Sequence, residues 1–422
     1  MKTKAVRLYG KRDLRLEEFD LPEIKEDEIL AKIVSDSICM SSYKAAEQGS
    51  DHKRVPDNVA TNPIIIGHEF CGEFVQVGAK WADKYKVGAK FSIQPALNDP
   101  ASPYSAAGYS FRDIGGAATY VVIPDNYIKR GLVLNYTGDA FYFGSLSEPM
   151  SCIVGGFHVN YHTQAGSYVH EMGIRQGGNM ALLAGVGPMG LGAIDYAIHC
   201  DRKPGLLVVT DIDETRLTRA ASIYTVKEAA KNGVKLVYVN TSKYEDVPAY
   251  LRSLTDDDKG YDDVYVYAPV KPVVEQGDKL LSQDGCLNFF AGPTNTLFSA
   301  EFNFYNVHYI ATHIAGNSGG NTDDMIESLE MMSSGKIDPS SMITHIGGLD
   351  AAIETTLNLP KIPGGKKLIY TQISMPLVAI ADFRKLGEKD YVYSRLADIV
   401  EANNGLWCTE AERFLLANAK SI

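Results

Sequence analysis

Side chains that could bind a metal occur at three separated points in the first 150 residues. They are Cys39 in "SICMSSYK", His68 and Glu69 in "GHEFCGEF", and Glu148 in "LSEPM". A thiolate, an imidazole and a carboxylate together suit Zn²⁺, which takes such ligands in a tetrahedron and keeps one position open in catalytic sites. Taken singly, each residue also fits a structural role in the core or as a capping carboxylate. Only the combination predicts a metal site.

A glycine-rich turn is the second pattern able to do chemistry. In "MALLAGVGPMGLGAIDYAIH" a G-x-G-x-x-G lies between an apolar strand and a helix, over Gly185, Gly187, Pro188, Met189 and Gly190. Glycines of this spacing permit a tight turn, let the backbone approach a pyrophosphate, and bring the helix against the strand, while the helix N-terminus supplies amides. Asp211 ends the next strand, where a carboxylate can accept hydrogen bonds from a ribose. The pattern favours a dinucleotide over a plain turn.

The choice of dinucleotide depends on two side chains. Asp211 would repel a 2′-phosphate and so favours NAD(H) over NADP(H). Arg216 could lie beside the ribose and admit NADP(H), or it could be a solvated charge on a helix surface. Methyltransferases use a similar turn followed by an acidic residue, so the turn alone does not fix the ligand.

The elements that would position these residues differ between the two parts of the chain. Up to residue 95 short strands such as "EILAKIVSDSIC" and "FCGEFVQVG" are separated by turn signals, and "ATYVVIP" continues them after a Pro-, Gly- and Ser-rich stretch. After residue 175 strands alternate with helices, among them a helix from Pro188 to about His199, which predicts a parallel sheet covered on both faces. The segment from about residue 376 has helically spaced apolar positions and predicts an α-helical appendage.

Composition sets limits on function. The 422 residues are 45 % hydrophobic and carry a formal net charge of −11, so no basic surface for nucleic acid or anionic lipid is indicated. There is no apolar run near the roughly 18 residues of a membrane helix and no signal-peptide core, which predicts a cytoplasmic protein. The six scattered cysteines include no CxxC pair and are expected to be reduced thiols.

The motifs together resemble one known family. Gly67-His68-Glu69-x-x-Gly72-x₅-Gly78 is similar to the zinc signature of the medium-chain alcohol and polyol dehydrogenases, and the resemblance extends over about residues 1 to 372. It implies an α/β protein with a β-rich, GroES-like catalytic domain split around a Rossmann domain with a doubly wound parallel sheet, and it argues against a methyltransferase. The predicted limits are 1–151 and 317–422 for the catalytic domain with its helical extension, and 152–316 for the Rossmann domain.

The resemblance also implies roles for particular residues. Cys39 and His68 match zinc ligands, and Glu69 matches a carboxylate that serves either as a ligand or just behind the ligands. Glu148 matches a position that polyol dehydrogenases fill with Glu, so the third ligand is left open between the two glutamates. Ser41 matches the hydroxyl that passes a proton from the substrate, although it also fits a turn serine capping a helix.

Three departures from the family pattern matter. Ser42 replaces an aspartate that orients the zinc ligands, which is expected to weaken that orientation and leaves open a protein that binds NAD without chemistry. Lys44 occupies the place of a proton-relaying histidine and could instead be a surface charge or meet an anionic substrate. The lobe "PALNDPASPYSAAGYSFRDIGG" has no cysteine, so one catalytic zinc is expected and a Cys₄ structural zinc is not.

A closer resemblance is to the sorbose-1-phosphate reductase branch, through the cysteine-free lobe, "SEPMSCIVGGFHVNYHT" and the tail "LGEKDYVYSRLADIVEANNGLW". It implies hydride transfer between NAD(H) and a polyol phosphate or its ketose phosphate, in a homodimer or homotetramer. His52, Lys53 and Arg54, with Lys44, could face the phosphate or form a solvated basic loop. The alternatives are an alcohol, an unphosphorylated polyol or a threonine-type substrate.

Overall fold

The computed structural model describes residues 1–422, and the chain folds as two compact units. Unit 1 comprises Met1–Glu148, Met325–Gly335 and Pro339–Ile422, and unit 2 comprises Pro149–Asp324 with Lys336–Asp338. Unit 2 is thus inserted in the sequence of unit 1. The domain limits expected from the sequence, at 151/152 and 316/317, stay a prediction. No helix has the length and apolar character needed to cross a membrane.

The first 159 residues form eight strands and three helices. The strands are β1 (Lys2–Gly10), β2 (Asp13–Asp20), β3 (Ile29–Ile38), β4 (Ile64–Ile65), β5 (Phe70–Val77), β6 (Lys90–Ile93), β7 (Tyr120–Ile123) and β8 (Val133–Tyr136). The helices are α1 (Met40–Gln48), α2 (Asp125–Ile128) and α3 (Phe141–Val159).

The next segment alternates strands and helices as the sequence predicts. Its strands are β9 (Tyr161–Thr163), β10 (His170–Met172), β11 (Asn179–Leu183), β12 (Leu206–Asp211), β13 (Lys235–Asn240), β14 (Tyr261–Val266), β15 (Leu281–Phe289) and β16 (His313–Ala315). Its helices are α4 (Pro188–His199), α5 (Glu214–Ile223), α6 (Val226–Lys231), α7 (Val247–Arg252), α8 (Lys271–Leu280) and α9 (Phe304–Tyr309).

The remainder of the chain returns to unit 1 and adds the helical appendage. Its strands are β17 (Ile343–Gly348), β18 (Lys366–Tyr370) and β19 (Val378–Ala379). Its helices are α10 (Thr322–Ser333), α11 (Ala352–Asn358), α12 (Phe383–Leu386), α13 (Tyr391–Ala402) and α14 (Thr409–Asn418).

The main sheet of unit 1 is built around β3. Its strand order is β19-β17-β18-β3-β5-β6-β8, and β7 also pairs with β3. All but one residue of β3 are buried, including the polar residues Ser35, Asp36 and Ser37 next to Cys39. A smaller sheet, β2-β1-β4, covers part of the same core.

Unit 2 is a parallel sheet in the order β13-β12-β11-β14-β15-β16. Every ladder in it is parallel, and the strand order reverses between β11 and β14, as in dinucleotide-binding folds. All six residues of β12 are buried, and the strand is apolar from Leu206 to Val209 because both faces of the sheet are covered. The α/β architecture predicted from the sequence is confirmed, and α4 has the predicted bounds.

Candidate metal and cofactor sites

Two neighbouring strands bring Cys39 and His68 to the same end of the main sheet of unit 1. Cys39 follows β3 and is the residue from which α1 begins, whereas His68 and Glu69 immediately precede β5. β3 and β5 are antiparallel, and Asp36 pairs with Phe70, so the end of one strand lies beside the start of the other. The sheet register therefore explains how residues so far apart in sequence meet.

Gly67 sets the path of the backbone into His68. Its φ is +91°, and a Cβ at this position would lie 2.2 Å from Asp36 Oδ2 and 2.7 Å from the amide nitrogen of Ala117. Glycine meets both demands, since it tolerates the left-handed region and has no side chain. The glycine before the histidine in "GHEFCGEF" is thus a backbone requirement of the site.

Sulfur, nitrogen and oxygen donors converge at this point. The ligand atoms of Cys39, His68 and Glu69 lie within 4.8 Å of one another. Atoms bound to a single Zn²⁺ at about 2.0–2.3 Å are about 3–4 Å apart. Small movements of these side chains would therefore bring the three donor atoms to within bonding distance of one ion. His68 and Glu69 are buried, which keeps the donor atoms away from bulk water. The residues fit a zinc ion in spacing and in chemistry.

The two ring nitrogens of His68 have different partners. Nδ1 lies 3.2 Å from the hydroxyl of Ser42, and Nε2 lies 3.2 Å from Ser41 Oγ and 3.3 Å from the hydroxyl of Tyr109. A proton on Nδ1 donated to Ser42 leaves Nε2 with its lone pair toward the donor cluster. Ser42 therefore contacts the ring where the family pattern has a carboxylate, and it offers a neutral acceptor in place of a charged one.

A short hydrogen-bond chain runs across the cluster. The Tyr109 hydroxyl donates to Ser41 Oγ over 2.8 Å, and Ser41 Oγ donates to the sulfur of Cys39 over 3.1 Å. Tyr109 is buried, and its ring lies 4.8 Å from that of His68. Burial, followed by the nearby Cys39, raises the pKa of Tyr109 well above its usual value, so the phenol keeps its proton. Ser41 is thus supplied with a fixed donor.

Glu69 is engaged by a buried lysine. Lys366 Nζ lies 2.5 Å and 2.7 Å from the two carboxylate oxygens of Glu69. Burial opposes the charge of Lys366, but the attraction of Glu69 and Cys39 outweighs it and the lysine pKa is raised. Both oxygens of Glu69 therefore already accept hydrogen bonds from a cation within the protein.

Glu148 adds a third acidic group. It lies on α3, and it interacts electrostatically with Cys39, His68 and Glu69. Burial is the main cause that raises the pKa of Glu148 to about 7; the charges of Glu69 and Cys39 raise it further and His68 opposes them. Cys39, Glu69 and Glu148 thus all interact with one buried lysine, Lys366. A divalent cation would offset the excess negative charge and favour ionised ligands.

Lys44 lies near the start of α1. It is half-buried on α1, one turn after Ser41, so the two side chains leave the same helix face. Its charge acts on His52, whose pKa it helps to lower together with Arg54 and Lys53. Lys44 therefore belongs with the basic residues at 52–54.

The glycine-rich turn in unit 2 joins β11 to α4. Gly187 is the N-cap of α4 and Pro188 is its first residue, followed by Met189. A Cβ on Gly190 would lie 2.2 Å from the carbonyl oxygen of Gly185, so this pair fixes the contact of strand and helix. A Cβ on Gly187 would meet nothing closer than 3.6 Å. The absence of a side chain at Gly187 is therefore not required by packing, which leaves room for a ligand phosphate beside the helix N-terminus.

Asp211 and Arg216 lie close to this turn. Asp211 ends β12, is buried, and accepts hydrogen bonds on Oδ1 from the amides of Ile212 and Asp213. Arg216, on α5, approaches the carbonyl oxygen of Val186 at 3.5 Å and so lies against the turn. The position of the carboxylate at the end of the second strand fits a ribose acceptor.

Two residues of the metal site were missed from the sequence. Lys366 is 297 positions away from Glu69, and no local pattern links them. Tyr109 lies in the cysteine-free lobe, where the sequence indicated only that the cysteines of a structural zinc site are absent. Its position is fixed by Gly108, whose Cβ would lie 2.0 Å from the carbonyl oxygen of Gly67. Such pairings across the fold leave no spacing signal in the chain.

Comparison with known proteins agrees with this geometry. The alcohol dehydrogenase GroES-like domain family matches residues 25–130. Mannitol-1-phosphate 5-dehydrogenase of Aliivibrio fischeri (strain ATCC 700601 / ES114) is 54 % identical over 98 % of this chain and 97 % of its own length. L-sorbose 1-phosphate reductase of Klebsiella pneumoniae is 48 % identical over 100 % of this chain and 98 % of its own. The solved structure of 2R,3R-butanediol dehydrogenase from Bacillus subtilis has a TM-score of 0.68 at 22 % identity, covering 87 % of this chain and 99 % of that one.

Fold and site together define a dehydrogenase with a GroES-like catalytic part and a Rossmann cofactor part. The chain belongs to the zinc-dependent medium-chain alcohol and polyol dehydrogenase family, in the branch of sorbose-1-phosphate reductase. It is therefore an oxidoreductase that uses a nicotinamide cofactor. The resemblance inferred from the sequence is confirmed at the level of family and fold.

Proposed function

We propose that the protein transfers hydride between NAD(H) and a polyol phosphate and its ketose phosphate. The observation that carries the proposal is the identity of 54 % and 48 %, over nearly the whole chain, to relatives named for sugar-alcohol and sugar phosphates. NAD(H) is favoured over NADP(H) by Asp211, which would meet a 2′-phosphate with like charge.

The residues at the metal site support this chemistry. Cys39 and His68 of the donor cluster, together with Glu148, which interacts electrostatically with both, would hold one zinc ion. When bound, the ion polarises the substrate oxygen and favours its alkoxide form. Ser41 relays the proton of the substrate hydroxyl: its Oγ accepts that proton and releases its own hydroxyl proton toward solvent. The Tyr109 hydroxyl holds Ser41 in place over 2.8 Å. Lys366 holds the carboxylate group of Glu69 in place behind the ligands. Burial of the cluster excludes water that would compete for the substrate oxygen.

The first test combines metal analysis with turnover. We expect about one zinc per chain and NAD(H)-linked activity that is higher on hexitol phosphates than on hexitols or simple alcohols. Cys39→Ala should lose both. Cys71→Ala is the matched control, because Cys71 is a buried thiol directed toward Gly144 and should keep its zinc. A Cys39→Ala protein that is as active as the parent would refute the metal mechanism, and a preference for simple alcohols would refute the substrate class.

The third ligand is tested by a pair of isosteric changes. Because Lys366 already binds both oxygens of Glu69, we assign the ligand role to Glu148 and the supporting role to Glu69. Glu148→Gln should lower zinc affinity by more than about 100-fold and Glu69→Gln by about 10- to 100-fold, measured by competition with a chromogenic chelator. The reverse order would make Glu69 the ligand.

Assembly is expected to be a homodimer or a homotetramer. Support comes from the edge strand β16 of unit 2, which contains the exposed Ile314, and from exposed apolar side chains that precede it in the sequence, among them Leu297, Phe304 and Tyr305. Exposed apolar clusters of this kind mark association surfaces.

A further inference from the structure

The ring of Tyr109 separates two groups of opposite charge. Its hydroxyl lies among the donor residues, 3.3 Å from His68 Nε2 and 2.8 Å from Ser41 Oγ. Its ring carries basic residues instead: the His52 ring stacks on it at 5.8 Å and 9°, and the guanidinium carbon of Arg54 lies 5.1 Å from its centre. A single buried side chain thus links the acidic metal cluster with a basic group.

Arg54 carries a charge that no group in the protein neutralises. No carboxylate lies within ion-pair distance of its guanidinium, and none of its side-chain N–H groups donates a hydrogen bond, although the side chain is half-buried. Its backbone is held firmly, because the carbonyl accepts from Ser110 Oγ at 2.7 Å and the amide donates to His52 Nδ1 at 3.3 Å. A fixed, partly desolvated guanidinium with free donors suits a bidentate oxyanion such as phosphate.

The surroundings of Arg54 are positive. Burial first, and then the charges of Arg54, Lys53 and Lys44, lower the pKa of His52 to about 4, and no acidic residue acts against them. This positive region belongs to a protein with a net charge of −11. Lys44 lies on α1 one turn from Ser41, and its charge, like that of Arg54, acts on His52.

The side chain of Lys53 contacts a different aromatic ring from that of Arg54. Its ammonium lies over the exposed ring of Tyr104, 5.1 Å from the centre, and the side chain is exposed. Adjacent residues of the same charge thus face different aromatic rings, and only the ring under Arg54 reaches the metal cluster. The structure therefore distinguishes Lys53 from Arg54, which the sequence alone did not.

We propose that Arg54, assisted by Lys44, binds the phosphate group of the substrate, with Tyr109 as the spacer between the phosphate and the metal cluster. The inference rests on the proposed function and assigns its specificity to named side chains. Binding at both ends would orient the carbon chain, so that one hydroxyl is presented to Ser41. Lys53 lies outside this phosphate site.

The test is a kinetic comparison of Arg54→Gln with the parent, using a polyol phosphate, the same polyol without phosphate, and NAD(H). Loss of a charged hydrogen-bond donor should raise KM for the phosphorylated substrate about 10- to 100-fold, with kcat changed by less than about 3-fold. KM for the unphosphorylated polyol, KM for NAD(H) and the zinc content should not change. Arg54→Lys should restore part of the loss, since it returns the charge without the planar fork.

Lys53→Gln is the matched control, because it removes the same charge one residue away. Its effect on KM for the phosphate substrate should stay below about 3-fold, as for a screened surface charge. An equal effect of Lys53→Gln and Arg54→Gln would overturn the assignment to Arg54. So would an Arg54→Gln protein that keeps the parent's preference for phosphate, or one in which KM for NAD(H) rises instead, since Arg54 would then serve the cofactor phosphates.

Binding of inorganic phosphate separates this inference from the proposed function. We expect the His52 ring resonance of the parent to shift on addition of phosphate, and this shift to be lost in Arg54→Gln. If phosphate binds in this way but the parent does not turn over polyol phosphates, the proposed function fails and the anion site stands. If the parent turns over polyol phosphates and Arg54→Gln behaves like the parent, the anion site fails and the proposed function stands.

Discussion

Lys366 determines how Glu69 can act in the metal site. An ion pair this deeply buried loses much of its attraction to the cost of desolvation, but removal of one partner leaves an uncompensated charge and is strongly destabilising. Lys366 therefore fixes the position of Glu69 through both carboxylate oxygens. Ser42 contacts His68 Nδ1, and the negative charges of Glu148 and Glu69 also act on this ring.

The pKa of His52 gives a prediction at this scale. In the folded protein it lies at about 4 because of burial and the neighbouring cations, whereas the unfolded chain has a value near 6.5. Above pH 6.5 both states are neutral. As the pH falls from 6.5 to 4 only the unfolded state takes up the proton, so stability falls. Between pH 6.5 and pH 4 the free energy of unfolding of His52→Asn should therefore fall by about 1–2 kcal/mol less than that of the parent, after allowance for partial solvent exposure.

Two measurements check the histidine prediction. Urea unfolding at several pH values between 4 and 7 gives the difference between parent and His52→Asn. An NMR titration of the His52 ring in the folded protein gives its midpoint directly. A midpoint near 6.5 would contradict the expected effect of Arg54, Lys53 and Lys44.

At this scale the sequence predicted some residues and not others for a clear reason. Cys39, His68 and Glu69 lie in short local patterns that resemble a known signature, so type and spacing sufficed to single them out. Lys366 and Tyr109 reach the site through strand pairing and lobe packing across long sequence separations. No local rule reports such contacts. The prediction that Ser42 weakens the orientation of the ligands stays a prediction, although its hydroxyl does reach His68 Nδ1.

At the scale of elements, α3 is capped from the other end of the chain. The carboxylate of Glu412, on α14, accepts hydrogen bonds from the amides of Phe141 and Tyr142 at 2.6 Å and 2.9 Å, and from the Tyr370 hydroxyl at 2.8 Å. A carboxylate at a helix N-terminus satisfies free amides and complements the helix dipole. Trp407 Nε1 donates to the same Tyr370 hydroxyl. The helical appendage thus stabilises the helix that carries Glu148.

Loss of this cap should be measurable. Glu412→Ala leaves a buried amide, a partly buried amide and a buried phenol without their acceptor. We expect the free energy of unfolding to fall by about 2–4 kcal/mol in urea denaturation. Glu410→Ala, on the same helix, is the control, because its side chain is 69 % exposed and pairs only loosely with Arg395. It should change stability by less than about 0.5 kcal/mol. Equal effects of the two changes would argue against the cap.

The glycine-rich turn gives a second prediction for elements. Gly187→Ala places a methyl group where the structure offers space, so the protein should fold with an unchanged Tm, but affinity for NAD(H) should fall at least about 10-fold because the pyrophosphate can no longer approach. Gly190→Ala forces a contact with the carbonyl of Gly185 and should cost about 1–3 kcal/mol of stability. Calorimetry and NAD(H) titration measure both. Unchanged NAD(H) binding by Gly187→Ala would place the cofactor elsewhere.

Elements were predictable from the sequence where their periodicity is visible. The alternation of strands and helices after residue 175 has a visible periodicity, and α4 runs from Pro188 to His199 as expected. No helix was assigned over α3, because "FYFGSLSEPMSCIVGGFHV" is apolar around most of its circumference and contains Pro149. A buried helix has no polar face to reveal its period, and an internal proline is a breaking signal.

At the scale of the whole molecule, the edge of the parallel sheet in unit 2 is the surface most suited to self-association. β16 is the last strand of that sheet, and Ile314 at its centre is 49 % exposed. An exposed edge strand presents unpaired backbone groups, and neighbouring apolar side chains add burial on pairing.

The association prediction is tested by mass in solution. The parent should be a dimer or tetramer by light scattering, and Ile314→Lys should shift it toward the monomer, because a charge would be buried at the edge. Val87→Lys is the control, since Val87 is an exposed apolar side chain that belongs to unit 1 and is not part of this strand. A monomeric parent would contradict the expected assembly, and an Ile314→Lys protein with the parent's mass would exclude this edge.

The pairing of β18 with β3 has a consequence for how the chain folds as it is synthesised. Residues 35–38 pair with residues 367–370, so the main sheet of unit 1 is incomplete until nearly the whole chain has left the ribosome. All six strands of the parallel sheet in unit 2 lie between residues 179 and 315 and emerge earlier. Because contacts close in sequence form first, unit 2 should fold during synthesis while the strand that precedes Cys39, β3, still lacks its partner β18. The metal site, whose residues begin to emerge first, is thus the last part of the enzyme to be completed.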